Sequence, residues 1–376
     1  MAGIYLHIPF CRQACHYCNF HFSTSLQYKN DIVEALLKEM ESRKDYIHNE
    51  QIQTIYFGGG TPSLLTADEL ERLLNKLHAL FSISPDAELT LEANPDDMTT
   101  PGLLSAWRQA GINRLSIGIQ SFFEEDLRWM NRVHNARQAL ESIRKAQDAG
   151  LDNISIDLIY GTPGLSDLRW KKNVEQAIQL GIPHLSCYAL TVEPRTALDT
   201  MIRQHKKEDV DPEAQAQQFL LLMDWTAAAG YEHYEISNFS LPGRRSRHNT
   251  SYWQGKPYLG LGPSAHSYDG GASRQWNIAN NALYIKNPLS GVEQEILSPV
   301  QQLNEFIMIS LRTIEGLDLD QLAARWGHDK EQILVAHAER YIREGKMMLK
   351  DQHLILTREG KLLADGIAAA LFFEEK

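Results

Sequence analysis

Three of the four cysteines in the chain, Cys11, Cys15 and Cys18, fall within eight residues. The C-x3-C-x2-C spacing puts three soft thiolate ligands on one short loop, which suits one face of an iron–sulfur cubane and leaves a fourth iron open to a small chelating molecule. A zinc site is the alternative, and it needs a fourth ligand, for which His7 or His16 is near in sequence. Three cysteines can also pack simply as small buried hydrophobes. They are poor material for a disulfide framework, so the chain is expected to work reduced. Cys187, in the apolar stretch 185–190, reads as an inert core thiol.

Other polar and glycine residues could serve a ligand beside such a cluster. Gly58, Gly59 and Gly60, followed by Thr61 and Pro62, let backbone approach a ligand closely, although the same run suits an ordinary strand-to-helix turn. No Gly-Lys-Ser/Thr follows, so this is not a phosphate-binding P-loop. Glu92 stands at a strand end, where a carboxylate can accept hydrogen bonds from an ammonium group or hydroxyls; the alternative is a solvated charge. Gln120, Arg132 and Asp157 sit on or after later strands and carry the same pair of readings, ligand contact or local ion pair.

The elements that must position these residues follow from hydrophobic patterning. Short apolar runs at 4–8, 54–57, 88–93, 114–119, 153–159, 184–190 and 233–236 alternate with amphipathic stretches such as 30–42, 67–80 and 211–229, the signature of repeated βα units around a parallel sheet. Thr66 with Glu69 forms a capping box that marks one helix start. Six or seven such units fit a full or partial barrel, whose function is expected on the loops leaving the C-terminal ends of its strands. The cysteines, the glycines, Asn94-Pro95, Gln120-Ser121 and the loop 161–164 all fall at those ends. The chain divides into a barrel over 1–240, an irregular segment rich in glycine and aromatics over 241–298, and a C-terminal part over 299–376. In the last, helical patterns at 300–312, 319–326 and 331–345 precede a hairpin at 347–356 turning near Asp351-Gln352, which is winged-helix-like.

Composition narrows the function classes. With 37 Lys and Arg against 48 Asp and Glu, the net charge is −11 over 376 residues, which argues against a nucleic-acid partner. From Asp318 onward there are 9 basic and 11 acidic residues, so the winged-helix pattern lacks a basic footprint. No apolar run approaches the roughly 18 residues that cross a bilayer, and the start lacks a secretory signal pattern. A cytoplasmic protein without membrane insertion is expected.

In combination, Tyr5-x-His7-Ile8-Pro9-Phe10-Cys11, the cysteine loop, Gly58-Gly59-Gly60-Thr61-Pro62 and the run from Ile156 through Asp157 to Gly164 resemble the radical S-adenosylmethionine superfamily, in its coproporphyrinogen dehydrogenase-like branch. The resemblance covers nearly the whole chain. It implies an α/β fold, a partial (β/α)6 barrel with a C-terminal helical domain, a 4Fe-4S cluster on Cys11, Cys15 and Cys18, and S-adenosylmethionine chelating the open iron. It also implies roles for Tyr5, Gly59 and Glu92 around one S-adenosylmethionine, and for Tyr17, Gly60, Thr61, Gln120, Arg132 and Asp157 around a second position. Tyr17 would shield the cluster or stack on adenine.

The sequence departs from the dehydrogenases in two respects. Their additional cysteine, two residues after the third cluster ligand, is Phe20 here, and their long N-terminal arm is missing ahead of Cys11. A positive feature replaces them, His248-Asn249-x-x-Tyr252-Trp253, which resembles the motif of the haem chaperones that share this fold. An imidazole suits haem iron, Tyr252 and Trp253 can pack on a porphyrin, and Arg244, Arg245 and Arg247 could pair with propionates. His266, on a glycine-rich turn, is a second candidate ligand with a structural alternative. The resemblance therefore implies haem as cargo and haem-accepting client proteins as partners, membrane-bound respiratory subunits among them, with a homodimer as a family expectation. Radical decarboxylation of coproporphyrinogen, and a metal-bearing interaction protein that binds neither ligand, are the competing readings.

Overall fold

The computed structural model describes residues 2–48 and 50–375. Six strands, β1 (Ala2–Ile8), β2 (Ile52–Gly59), β3 (Ile83–Ala93), β4 (Arg114–Gln120), β5 (Ile154–Tyr160) and β6 (His184–Ala189), lie side by side in chain order and are all parallel. Their sequences explain why. In β5, Ile154, Ile156, Leu158, Ile159 and Tyr160 are all buried, and such near-continuous apolar runs need cover on both faces. The cover comes from helices α1 (Lys29–Ser42), α2 (Ala67–Leu80), α3 (Leu103–Gln109), α4 (Glu124–Trp129), α5 (Ala136–Asp148) and α6 (Asp167–Gln179). The expected capping box opens α2, with the Thr66 hydroxyl accepting from the Glu69 N–H and the Glu69 carboxylate accepting from the Thr66 N–H.

The barrel stops at six units. After α7 (Ala197–Arg203) and α8 (Pro212–Ala228), the run at 233–236 does not begin a seventh. It forms β7 (Glu232–Glu235), one arm of an antiparallel hairpin with β8 (Asn238–Ser240), and β8 pairs antiparallel with β6. The chain then crosses through α9 (Arg247–Trp253) to the other side of the sheet. There β9 (Tyr258–Leu261) runs parallel to β1, Gly3 facing Tyr258 and Leu6 facing Leu261. Strands β10 (His266–Tyr268), β11 (Ser273–Trp276) and, after helix α10 (Asn281–Lys286), β12 (Glu293–Ile296) extend that side antiparallel. The twelve-stranded sheet is thus open, running from β12 to β7.

The remaining chain packs around a second hydrophobic core. It contains α11 (Pro299–Leu311), β13 (Leu317–Asp318), α12 (Leu319–Trp326), α13 (His328–Arg343), the hairpin β14 (Met347–Lys350) and β15 (His353–Leu356), then α14 (Arg358–Lys361) and α15 (Ala364–Ala370). Asp351 and Gln352 make the hairpin turn with φ of 48° and 61°, the left-handed pair of a primed two-residue turn. Helices followed by a hairpin give the winged-helix-like outline.

The two cores meet at β7. The Ile236 N–H donates to the Arg312 carbonyl at 3.1 Å, and the Arg312 guanidinium reaches Glu235, whose side chain is 1% exposed, at 3.0 Å. Removing one partner of such a pair strands a buried charge, which costs about 3 kcal/mol or more. Arg312→Met is therefore expected to lower stability by about that amount in urea unfolding, and Glu235→Gln added to it to recover part of the loss; equal stability of Arg312→Met and wild type would refute the coupling.

Candidate functional site

The C-terminal ends of β1 to β5 converge on one mouth of the barrel. At the end of β2 the backbone turns through Gly59, with φ of 108°, and its N–H donates to the Glu92 carboxylate at 3.1 Å. The other carboxylate oxygen accepts from the Tyr56 hydroxyl at 2.8 Å. A Cβ on Gly59 would lie 2.5 Å from the His7 ring, and one on Gly60 would lie 2.6 Å from the Phe10 carbonyl. Neither position accepts a side chain, because the β2 turn packs directly on the strand-to-loop exit that carries Cys11. Thr61 then donates its hydroxyl to the Cys11 sulfur at 3.5 Å. Tyr5, on β1, stacks on Tyr56 with ring centroids 6.1 Å apart and donates to His7 Nδ1 at 3.1 Å.

Burial pushes the Glu92 carboxyl up to about 8, against the Tyr56 hydrogen bond, and nearby Asp157 adds repulsion. Asp157 itself is pushed up to about 6 by burial, with Arg114 acting in the opposite sense. Two neighbouring acids with raised affinity for protons favour a cationic ligand in their place.

Arg132 supplies the opposite wall. It donates to the Cys15 sulfur at 3.3 Å, to Asn94 Oδ1 at 2.8 Å and to the Gly118 carbonyl at 2.9 Å, while its buried Nε has no hydrogen-bond partner among the described residues. An orphaned buried donor beside three free thiols suits an anionic or sulfide-bearing ligand. Tyr17 packs against the small apolar cluster of Leu127, Met130 and Ile159, and the His16 N–H and carbonyl bond to Met130 and Leu198, so the cysteine loop is held from below. Gln120 ends β4 with φ of 63°, and its amide faces Gly118 together with Arg132.

Of the two histidines weighed as a fourth zinc ligand, His7 has both ring nitrogens engaged and His16 keeps Nε2 without a partner among the described residues. His7 donates through Nε2 to the His21 carbonyl at 2.9 Å, and His16 Nδ1 bonds the Trp129 carbonyl at 3.0 Å. Among the described residues no three His, Cys, Asp or Glu side chains gather around a point that one ion could fill. Sequence reasoning placed Asn94 at a strand end without a role and missed Tyr56, beside the mouth, and Arg114, which opens β4 at the opposite end and acts on the two acids through its charge; a strand tyrosine and a buried arginine carry no spacing signal.

The helix α9 sits at the other end of the barrel strands, and His248 turns inward. It is 1% exposed, its Nδ1 bonds the Thr54 hydroxyl at 2.8 Å and its Nε2 bonds the Tyr252 hydroxyl at 2.7 Å. The ring also stacks on Tyr56 at 5.0 Å, and burial pushes its pKa down to about 3. Both ring nitrogens of His248 are thus engaged inside the protein, with Thr54 and Tyr252. Arg245 and Arg247 are likewise engaged, the first with Glu232 and Glu315, the second with the Asp86 carbonyl and Gln53. They hold loops together instead of facing a ligand.

Tyr252 and Trp253, by contrast, line an open cleft of about 830 Å³ between the barrel's added strands and the C-terminal helices α11 and α12. A second cavity of about 410 Å³, lined by Tyr5, His7 and Phe20, lies beside the cysteine loop, and Tyr252, Tyr258 and His266 border both. Phe20 is 68% exposed there, so the position that distinguishes the chain from the dehydrogenases faces open space.

A parallel six-unit barrel with three thiols on its first loop and a glycine cradle on its second defines the radical S-adenosylmethionine class, and residues 5–177 match the Radical SAM superfamily. Residues 297–363 match the HemN C-terminal domain. The chain is 36% identical to the heme chaperone HemW of Mycobacterium tuberculosis over 98% of its own length and 94% of the relative's. It is 30% identical to that of Bacillus subtilis over the whole of both chains, and 31% identical to that of Escherichia coli K12 over 97% and 96%. It belongs to the HemW family of radical S-adenosylmethionine proteins. The solved structure of Escherichia coli coproporphyrinogen III oxidase, HemN, shares the fold with a TM-score of 0.84 at 22% identity, covering 99% of this chain and 90% of that one.

Two outcomes are expected at the mouth. Gly60→Ala forces a methyl into the Phe10 backbone and should cost about 1–3 kcal/mol together with most iron–sulfur content after reconstitution, read by iron and sulfide analysis; full cluster content would refute the close-approach argument. A folded-state carboxyl raised to about 8, above its ordinary 4.5, binds protons more tightly than the unfolded chain, so its effect on stability is lost as pH rises from about 4.5 through 8. Without ligands, the melting temperature of Glu92→Gln minus that of wild type is therefore expected to increase from pH 5 to pH 9; a flat difference would show that the carboxyl titrates normally.

Proposed function

We propose that this protein is a haem chaperone that binds haem and passes it to haem-requiring proteins, carrying a 4Fe-4S cluster and S-adenosylmethionine at the barrel mouth. The observation that carries the reading is the placement of the His248-Asn249-x-x-Tyr252-Trp253 helix in a chain of the HemW family: Tyr252 and Trp253 border an aromatic-lined cleft of about 830 Å³, within the size range of ligand sites. His248 supports Tyr252 from inside the barrel and so acts as a positioning residue for that wall.

Cys11, Cys15 and Cys18 would hold three irons of the cluster. Bound there, a 4Fe-4S cluster supplies one-electron chemistry and a free iron site. Glu92, with Tyr5, Gly59, Gly60 and Thr61, would receive the ammonium end of S-adenosylmethionine and its surroundings, and Glu92 would release its proton to water as the cation arrives. Arg132, Gln120, Asp157 and Tyr17 would line the rest of that pocket. Phe20 in place of a further cysteine, and a cleft away from the mouth, favour carriage of a finished macrocycle over its oxidation. Among the described residues no helix is long and apolar enough to cross a membrane. We place the protein in the cytoplasm, delivering to clients that include membrane-bound respiratory subunits, with a second copy as partner.

Haem titration of anaerobically reconstituted protein tests the reading. Saturable binding is expected to persist when all three cluster cysteines are replaced by alanine, and to weaken about fivefold to tenfold in His248→Ala, the cost of one lost hydrogen bond behind Tyr252. Absence of saturable binding by wild type, or turnover of coproporphyrinogen, would overturn it.

A further inference from the structure

The cleft bordered by Tyr252 and Trp253 has two walls of different origin, and each contributes one free group. On the barrel wall, His266 begins β10 and borders both cavities. It is exposed, one ring face lies against Trp276 at 5.9 Å and 26°, and neither ring nitrogen has a hydrogen-bond partner among the described residues. The other histidine of the cleft, His353, lies on the opposite wall. Its Nδ1 donates to the Asp351 carbonyl at 2.7 Å, and its Nε2 faces Asp318 at 3.9 Å.

Lys256 lines the barrel side of the cleft as an exposed ammonium, and the guanidiniums divide in the same way as the histidines. Arg245 is paired with Glu232 and Glu315, and Arg274 with Glu305. Arg325, on α12, has no carboxylate partner among the described residues; its guanidinium is stacked over Trp326 at 4.3 Å with Phe306 at 5.9 Å. A flat cation with open hydrogen-bonding edges is suited to a carboxylate brought in by a ligand. A planar aromatic with a central metal and peripheral carboxylates matches this set: a nitrogen donor, aromatic side chains at Tyr252, Trp253 and Tyr258, and an unpaired guanidinium across the gap.

We infer that haem binds in this cleft with His266 as an axial ligand of its iron and Arg325 as the partner of a propionate. The inference rests on the haem-chaperone reading above and assigns that reading its site. The bond formed is a coordinate one from a neutral imidazole nitrogen, displacing water or a weak ligand from the iron, with no change of oxidation state. Because the iron is held by the barrel wall and the propionate by the C-terminal module, the ligand bridges the two cores.

The test uses the full-length, anaerobically reconstituted protein titrated with ferric haem and, separately, with its dimethyl ester, followed by difference absorbance and resonance Raman. His266→Ala is expected to change the axial-ligand signature and weaken haem binding about tenfold or more, with added imidazole restoring the wild-type spectrum. Arg325→Gln is expected to keep the spectrum, to weaken haem about tenfold and to leave the dimethyl ester unaffected. His353→Ala should alter neither. If wild type binds saturably but His266→Ala matches it in spectrum and affinity, or if His353→Ala carries the loss, the ligand assignment is wrong while the haem reading stands. If Arg325→Gln weakens the ester equally, the propionate assignment is wrong. If wild type does not saturate, both readings fall.

Discussion

A single carboxylate, Glu92, organises the barrel mouth. By accepting the Gly59 N–H it fixes a left-handed turn that only glycine adopts at ease, and that turn presses Gly60 onto the backbone of Phe10. Phe10 leads directly into Cys11, and Thr61, one residue after the cradle, reaches the Cys11 sulfur. The cysteine loop is therefore registered against β2 through the main chain, where the Gly60 N–H donates to the Ile8 carbonyl, and through side chains, Thr61 to Cys11 and Arg12 to Asp97. Holding an acid inside the barrel raises its affinity for a proton, so the group that shapes the cradle is also the one that an arriving cation would ionise.

Much of this was legible in the sequence because it rests on local rules. The cysteine spacing, the βα alternation, the Thr66 capping box and the Asp351-Gln352 turn each depend on a few adjacent residues. Two placements that no local rule announces depend on distant ones. The apolar run at 233–236 has the pattern of a barrel strand, but Ser237 follows Ile236 with the chain already reversing into β8, and the partner that decides its direction is β6. The inward turn of His248 is set by Thr54, far away in sequence, and a histidine in a seven-residue helix carries no periodicity that would announce it. Likewise Arg245 and Arg247 beside the motif are tied to Glu232, Glu315, Asp86 and Gln53, whereas the unpaired Arg325 lies on a helix of the other core.

The arrangement separates two chemistries while letting them share residues. The cysteine loop and the carboxylates face one cavity; Trp253 and the C-terminal helices face another. Tyr252, Tyr258 and His266 border both, and Tyr252 is in turn bonded to His248, whose ring stacks on Tyr56, the same tyrosine that donates to Glu92. A continuous file of aromatic rings and hydrogen bonds thus runs from the cradle to the cleft wall.

The strand β9 has a further consequence, for the history of the chain. Because residues 258–261 cover the free side of β1, that strand stays an unpaired edge on that side until about 250 further residues have been synthesised. Pairings so distant in sequence form slowly, and an uncovered, largely apolar strand such as Ala2–Ile8 is a template for association with other chains. The segment that ends this exposure is the one that leads from the His248 helix into the cleft.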